Sequence, residues 1–234
     1  MTTQQPPTII AFASPKGGVG KSTSCLGIAG ALASKGETVH VVDFDQTQTL
    51  WGWYSSNDSA RAIQNLTVEQ APKSNIDSFV RDLYMKRRGY VLIDLAGTLT
   101  DTMLFVATLA DLVIIPTKLG WADIMEANKL SEKLDKIAKQ IGKPITSRLL
   151  LNEIPFALAA SQVHMINQVA QLGLEIFKTY IHVRAAYAEP HVTGLPLHYD
   201  DTSRAPTQKA IAELNLLLDE VLAAATITQQ KAAA

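Results

Sequence analysis

The stretch FASPKGGVGKST, residues Phe12–Thr23, is the part of the sequence that predicts most about the fold. It follows a short apolar run and precedes a helical pattern, which is the setting of a phosphate-binding loop. Residues 20–22 supply the end of the pattern G-x-x-x-x-G-K-[ST], but the opening glycine of that pattern falls on Pro15. A second lysine, Lys16, lies inside the loop. The sequence therefore predicts a phosphate loop of unusual composition.

The loop residues suit an anion. Gly17, Gly18 and Gly20 let backbone N–H groups turn toward a phosphate without Cβ clashes. The following helix N-terminus adds free N–H groups and its dipole. Lys21 is placed to reach the β- and γ-phosphates, and Ser22 to ligate Mg²⁺. A glycine-rich turn before a helix is the alternative, but the order of strand, loop, lysine and Ser-Thr favours nucleotide contacts at Gly17, Gly18, Val19, Gly20, Lys21, Ser22 and Thr23.

Composition excludes several classes of protein. The 234 residues are 47% hydrophobic and 18% charged, as in a globular domain rather than a disordered chain. A net charge of -1 means that nucleic-acid binding would need a local basic patch. The single cysteine, Cys25, excludes an internal disulfide and a Cys-rich zinc site, and we expect it to be a small buried side chain. No secretory signal is visible, so we expect a cytoplasmic protein without a membrane span.

Apolar runs alternate with helical patterns along the chain. Strands are predicted at 8–14, 38–45, 66–71, 90–96, 111–117, 147–154 and 175–181. Helices are predicted at 22–34, 76–88, 101–110, 122–141, 159–172 and 207–225. Continuously apolar strands that alternate with helices indicate one α/β domain, with a mostly parallel twisted sheet covered on both faces. We expect the domain at 8–225, a disordered N-terminal tail at 1–7 and a flexible tail at 226–234.

Two predicted strands end in aspartate. The first reads VVDFD, with Asp43 and Asp45, and the second reads VLIDLAG, with Asp94 and Gly97. Mg²⁺ binds a few carboxylates together with phosphate oxygens. Asp94 fits the second acidic motif of phosphate-loop enzymes, and the Gly97 N–H is placed for the γ-phosphate. Aspartate also caps helices and turns, so the signal depends on its combination with the loop.

These motifs together resemble the ParA/MinD family of ATPases. PKGGVGKST is similar to that family's deviant phosphate loop, K-G-G-x-G-K-[ST], and VVDFD and YVLIDLAG are similar to its two acidic motifs. ADLVIIPT and LLLNEI resemble later strands of the family. Residues 184–201 resemble the ParA-type R-x-A-Y-x-E segment. The resemblance covers most of the chain and implies a single-domain P-loop NTPase fold.

The resemblance also implies roles for individual residues. Lys16 would contact the phosphates of the nucleotide in a partner subunit, so that two ATP molecules lie within a homodimer. Lys16, Lys21 and Asp45 would then be catalytic, with Asp45 positioning the attacking water. Asp43 would lie near Mg²⁺, which makes Ser22, Asp43 and Asp94 the metal candidates. Asn152 would contact the adenine base, although a strand-end cap is an alternative.

The chain departs from the family at two places. ParA members often read D-x-D-P-Q after the second strand, whereas this chain has Gln46 and Thr47 where the family has proline and glutamine. The second motif, DLAGTL, lacks the proline that usually follows its aspartate. The charged residues remain, so these departures concern the hydrolysis rate and the partner that stimulates it. Short ParA-like proteins of DNA-transfer systems, which this chain resembles in length, show similar departures from these motifs.

The implied function is a ParA-type ATPase that positions DNA or another cargo. ATP would close the dimer, the dimer would bind non-specific DNA on the nucleoid, and a ParB-like or other adaptor would stimulate hydrolysis to ADP. Arg184, Arg204 and Lys209 are the candidate DNA contacts. The basic run 86–88 is either a nucleic-acid patch or a complement to a helix C-terminus.

Two other functions remain as alternatives. A MinD-like membrane switch needs a basic amphipathic C-terminal helix, whereas IAELNLLLDEVLAAA carries only acidic residues on its polar side. An iron–sulfur relative such as nitrogenase reductase needs more cysteines than this chain has. The aromatic residues Trp51, Trp53 and Tyr54 fit core or interface packing better than base stacking.

Overall fold

A computed structural model describes residues 6–97 and 100–233, without the side chains of residue 86 and residues 231–233. Within these ranges the strands are β1 (Thr8–Phe12), β2 (Val39–Asp43), β3 (Leu66–Gln70), β4 (Tyr90–Asp94), β5 (Leu112–Lys118) and β6 (Ser147–Asn152). The helices are α1 (Lys21–Ser34), α2 (Thr49–Ser56), α3 (Asp58–Arg61), α4 (Ile76–Lys86), α5 (Asp101–Leu109), α6 (Trp121–Ile141), α7 (Ala160–Gln171), α8 (Glu189–Thr193) and α9 (Ala205–Ala233).

The six described strands form one parallel sheet in the order β3-β2-β4-β1-β5-β6. Phe12 of β1 pairs with Asp94 of β4, and Asp94 pairs in turn with Asp43 of β2. The carboxyl ends of the central strands therefore lie at one edge of the sheet. Ligands of open α/β sheets bind at this edge, so the topology brings the loop after β1 beside both acidic motifs.

Helices cover both faces of the sheet, as the continuous apolar strands predict. Ile10 and Phe12 belong to a buried cluster with residues of α1, α2 and α9. Ile9 and Ala11 point to the other face and belong to a second cluster with α4, α5, α6 and α7. Cys25 is buried in the first cluster, where burial raises the pKa of its thiol. The predicted α/β architecture is confirmed.

The predicted last strand, 175–181, is wrong. Within this segment Ile176 forms one isolated bridge, to Leu149 of β6, and just after the segment His182 forms another, to Ile154 beyond the end of β6. Between the bridges the chain bends, and Glu220 of α9 accepts the backbone N–H groups of residues 178 and 179, each at 2.8 Å. The Glu220 side chain thus accepts hydrogen bonds from backbone N–H groups that would pair with β6 if this segment were a strand.

The last helix is longer than its apolar pattern predicts. It runs to Ala233 rather than to Ala225, because Thr228 is buried and its hydroxyl donates to the Thr146 hydroxyl at 2.7 Å. The residues expected as a flexible tail are therefore helical as far as 233. Of the expected N-terminal tail, residues 1–5 lie outside the described residues. None of the helices in the described ranges is both long and apolar enough to cross a membrane.

Candidate active site

The loop between β1 and α1 presents an open helix N-terminus. Gly18 and Gly20 have φ angles of +69° and +91°, which residues with a Cβ rarely adopt. Gly20 precedes α1, and its carbonyl accepts the first helical hydrogen bond from the Ser24 N–H at 2.9 Å. The first turn of α1 carries no acidic residue. This loop end is therefore suited to an anion.

The two lysines of the loop point to different places. Lys21 is buried, and its Nζ donates to the backbone oxygen of Lys16 at 3.2 Å, inside the loop. The Nζ of Lys16 leaves the loop and lies 2.6 Å from Oδ1 of Asp123, in the first turn of α6. The Lys16 side chain is 37% exposed. Only Lys21 is placed to serve a phosphate in its own loop.

Ser22 and Asp94 meet beneath the loop. The Ser22 hydroxyl donates to Oδ2 of Asp94 at 2.5 Å, and Asp94 is completely buried. Burial raises the pKa of Asp94 to about 7; the Ser22 hydrogen bond and the Lys21 charge oppose this rise, whereas the charge of Asp43 adds to it. Within the described residues, Oδ1 of Asp94 has no hydrogen-bond partner. A buried carboxylate oxygen without a partner, beside a serine hydroxyl, fits a cation.

The fit favours Mg²⁺ over a metal that needs a protein cage. Among the described residues, no group of three or more His, Cys, Asp or Glu side chains is arranged to hold a metal. Mg²⁺ is usually bound by one or two carboxylates together with water and substrate phosphates. Ser22 and Asp94 meet that requirement.

Asp43 has a different environment from Asp94. Its Oδ2 accepts the N–H groups of Leu50 and Trp51, at 2.9 and 3.0 Å, and its Oδ1 accepts the N–H of Asp45 at 2.9 Å. Burial raises the pKa of Asp43, although these hydrogen bonds act against the rise. Oδ2 thus caps the N-terminus of α2, and Oδ1 holds the backbone of the turn that precedes this helix. Asp43 therefore acts as a helix cap in this structure. Its contact with a metal stays a prediction.

Asp45 lies in the turn between β2 and α2. Its Oδ1 accepts the backbone N–H and the hydroxyl of Thr47, at 2.9 and 2.8 Å. Asp45 also lines a cleft of about 560 Å³, together with Ala96 and Thr100, at the carboxyl ends of β2 and β4. Thr47, which with Gln46 forms the first of the two departures from the family pattern, therefore fixes the carboxylate that we expect to position water.

Gly97 and Asn152 both lie against the loop. A Cβ on Gly97 would be 3.3 Å from the Gly17 nitrogen and 3.4 Å from Nζ of Lys21, so its backbone faces the loop directly. The Asn152 side-chain amide donates to the Val19 oxygen at 2.8 Å. This bond fastens the loop to the end of β6. The predicted adenine contact of Asn152 stays a prediction.

A second cleft, of about 320 Å³, opens beside Asn152. We call it the β6 cleft, and it is lined by Thr23, Asn152, Ile181, Arg184 and Tyr187, among others. Because Gly20 and Thr23 of the phosphate loop line the β6 cleft, this cleft lies next to the site where a nucleotide's phosphates would bind.

The three candidate DNA contacts have different surroundings. The Arg184 side chain is 16% exposed and pairs with Glu213 at 3.0 Å, and its DNA contact stays a prediction. Arg204 is exposed and pairs with Glu189 at 3.2 Å. Lys209 is exposed on α9. The last two are the more exposed of the three.

Other predicted residues have structural roles. Trp53 is buried, and its ring N–H donates to the Pro190 oxygen at 2.7 Å, which confirms packing rather than base stacking. Of the basic run, Arg88 donates to the Met85 oxygen at the C-terminus of α4, as the helix-end interpretation predicts. Arg87 lies 3.5 Å from Glu69. The Lys86 side chain lies outside the described residues.

Sequence reasoning missed two acidic residues. Asp123 follows β5 in an ordinary first-turn position, so nothing in the sequence connects it with Lys16, 107 positions earlier. Glu213 is one of the acidic residues that the stretch IAELNLLLDEVLAAA places on the polar side of the last helix, but it is only 8% exposed. The sequence does not show that Glu213 faces inward, because this depends on the segment that packs against α9.

Comparison with known proteins agrees with this geometry. The model of the VirC1 protein family matches residues 8–232. This chain belongs to the VirC1 family. Protein virC1 of Rhizobium rhizogenes is 26% identical over 205 residues, which cover 84% of this chain and 88% of that protein. Protein ParA of Rhizobium radiobacter is 25% identical over 201 residues, covering 81% and 85% of the two chains.

The fold is also that of a solved ParA protein. A ParA family ATPase from Chlorobium tepidum superposes with a TM-score of 0.62 at 17% identity, covering 90% of this chain and 98% of that one. The ParA-like resemblance and the P-loop NTPase fold inferred from the sequence are therefore confirmed.

Proposed function

We propose that this VirC1-family chain is a ParA-type ATPase. In this proposal ATP closes a homodimer, the dimer binds non-specific DNA, and an adaptor protein stimulates hydrolysis to ADP and phosphate. The cycle positions DNA or another cargo, and the ATP-bound dimer associates with the nucleoid in the cytoplasm. Support comes from the family match and from the geometry of the loop.

The divergence of the two lysines is the observation that carries the proposal. Lys21 Nζ stays within its own loop, whereas Lys16 Nζ reaches outward to a carboxylate on α6. A partly exposed ammonium at the mouth of a phosphate site can exchange that carboxylate for a second subunit's triphosphate. Two triphosphates brought face to face need such added positive charge, and a lysine that arrives only in the dimer couples assembly to hydrolysis.

The same loop provides the nucleotide site of each subunit. The N–H groups of residues 17–23 would bind the phosphates, with Lys21 on the β- and γ-oxygens. Ser22 and Asp94 would hold Mg²⁺, which neutralises phosphate charge when bound. Asp45 would orient the attacking water, and the N–H of Gly97 would donate to the γ-phosphate. Asn152 would contribute at the adenine through its position beside the β6 cleft.

The proposed DNA binding is supported by few basic side chains. The net charge of -1 provides no overall attraction, so contacts must be local. Arg204 and Lys209 lie near the start of α9 and are exposed. A dimer would double this patch, which suits weak and salt-sensitive phosphate contacts.

The MinD-like membrane alternative is disfavoured by packing. The apolar residues of α9, including Leu214, Leu217 and Val221, are buried against the sheet and α1. An interfacial helix needs its apolar face free for lipid. We therefore propose no membrane partner.

One experiment separates the two functions. Binding to non-specific duplex DNA and to anionic liposomes is measured with ATP and with ADP across a salt series. The proposal expects ATP-dependent DNA binding that weakens with salt, and no liposome binding. Liposome binding without DNA binding would overturn it.

A further inference from the structure

A single buried carboxylate organises one wall of the β6 cleft. Glu213 of α9 accepts the backbone N–H of His182 and the hydroxyl of Tyr187 through Oε1, each at 2.8 Å. Through Oε2 it accepts Nδ1–H of His182 at 2.8 Å and the Arg184 guanidinium at 3.0 Å. Three residues of the wall thus depend on one side chain that does not itself line the cleft.

The backbone of this wall is held at the end of β6 by isolated bridges rather than by a continuous ladder. Three backbone hydrogen bonds lie near the cleft: the Ile181 N–H to the Leu151 oxygen at 3.0 Å, the Ile154 N–H to the Ile181 oxygen at 3.0 Å and the Val183 N–H to the Ile154 oxygen at 3.1 Å. These bonds fix the backbone, whereas Glu213 of α9 orients the side chains of His182, Arg184 and Tyr187.

Glu213 also sets the planes of an aromatic stack beside the cleft. The His182 ring lies parallel to the ring of Phe156, with centroids 4.8 Å apart and an angle of 3°. The Arg184 guanidinium carbon is 4.6 Å from the Phe156 centroid. Phe156 is 65% exposed, so it is held by these two neighbours and not by burial.

Glu213 is suited to this role as an anion. Burial alone would raise the pKa of Glu213, but the hydrogen bonds from His182, Tyr187 and Arg184 hold it below its ordinary value. The carboxylate therefore stays charged and accepts from every donor. A neutral side chain of the same shape would have to donate to one of them instead.

We infer that Glu213 is a positioning residue for the base of the bound nucleotide. It holds Arg184 and Tyr187 where they line the β6 cleft, which begins beside the phosphate loop, and so it sets how much the planar base adds to the affinity of the triphosphate. This inference rests on the proposed nucleotide site.

The test compares a nucleotide with its phosphate chain alone. Affinities for ATP and for inorganic tripolyphosphate, each with Mg²⁺, are measured by calorimetry on wild type and on Glu213→Gln. We expect the variant to bind ATP about ten-fold more weakly, because charged hydrogen bonds at the base wall are lost. Tripolyphosphate binding should be unchanged, since the phosphate loop is not altered. A merely structural defect would weaken both ligands alike.

Glu220→Gln is the matched control. Glu220 lies two turns further along the same helix and caps the same segment, at residues 178 and 179. This variant should lose stability yet keep the wild-type ratio of ATP to tripolyphosphate affinity. If Glu213→Gln does not fold, Tyr187→Phe removes the hydroxyl that donates to the Glu213 carboxylate. This variant should lower the ratio of ATP to tripolyphosphate affinity in the same direction but by less.

The outcomes separate the two levels of inference. Wild type that binds neither ATP nor tripolyphosphate would overturn the proposed function and this inference with it. If wild type binds both ligands and the ratio of ATP to tripolyphosphate affinity is unchanged in Glu213→Gln and Tyr187→Phe, the proposed role of Glu213 is wrong. The proposed function is then unaffected. An equal change in Glu220→Gln would also overturn the role of Glu213, by showing that the effect is not local to the cleft.

Discussion

Nζ of Lys16 and Oδ1 of Asp123 lie 2.6 Å apart, and this ion pair joins the phosphate loop to the first turn of α6. The two side chains are 37% and 24% exposed. If Lys16 serves a partner's nucleotide, it must leave Asp123 to do so. The ion pair and the proposed dimer then compete for one ammonium group.

Replacing Asp123 should favour the dimer. An ion pair this exposed is worth at most about 1 kcal/mol, so Asp123→Asn should lower the ATP concentration for half-maximal dimer by about two- to five-fold. Sedimentation velocity across an ATP titration measures this, and Lys16→Ala should remain monomeric in ATP. Glu126→Gln, which breaks the 2.7 Å pair with Lys129 on the same helix, is the control and should match wild type. A higher ATP requirement in Asp123→Asn would contradict the competition.

Asp45→Ala should assemble but not turn over. Without the carboxylate that orients water, hydrolysis should fall by about 100-fold or more, and the ATP dimer should persist. Sedimentation in ATP together with phosphate release measures both. Asp58→Ala, at the start of α3, removes a 96% exposed acidic side chain and should behave as wild type. Monomeric Asp45→Ala in ATP would show that the assigned role is wrong.

Gly20→Ala should damage the loop through two effects. At φ +91° a Cβ is strained by about 1–2 kcal/mol. That Cβ would also lie 1.7 Å from Nδ2 of Asn152, which must then release the Val19 oxygen. Gly36→Ala is the control, because its φ is +85° but nothing lies within 4 Å of its Cβ. In urea unfolding we expect Gly20→Ala to lose at least about 1 kcal/mol more than Gly36→Ala. Equal losses would mean that the asparagine moves freely.

Arg204→Ala and Lys209→Ala should weaken DNA binding without sequence preference. Each should reduce the slope of log K against log salt by about 1, because each phosphate contact releases counterions. Fluorescence anisotropy with random duplexes in ATP measures the slope. Lys133→Ala, at an exposed position of α6, is the control and should leave it unchanged. If all three variants keep the wild-type slope, the DNA surface lies elsewhere.

Local patterns predicted most of the fold. The strand before the loop, the positions of Asp43 and Asp94 at strand ends and the two-sided burial follow from short-range sequence periodicity. The strand at 175–181 could not be excluded in this way, because its apolar pattern is that of a strand. What prevents the ladder is Glu220, more than 40 positions away.

The chemistry of the phosphate loop follows from the sequence alone, because the types of residue at 15–23, including three glycines, are local properties of the chain. The contacts of the charged groups depend on the tertiary structure. Lys16 reaches α6, Asp43 caps α2, and Arg184 turns inward to Glu213. The physical reason is that a charge near or below the surface takes the nearest opposite charge or hydrogen-bond partner, and only the packing of α6 and α9 on the sheet brings those partners within reach.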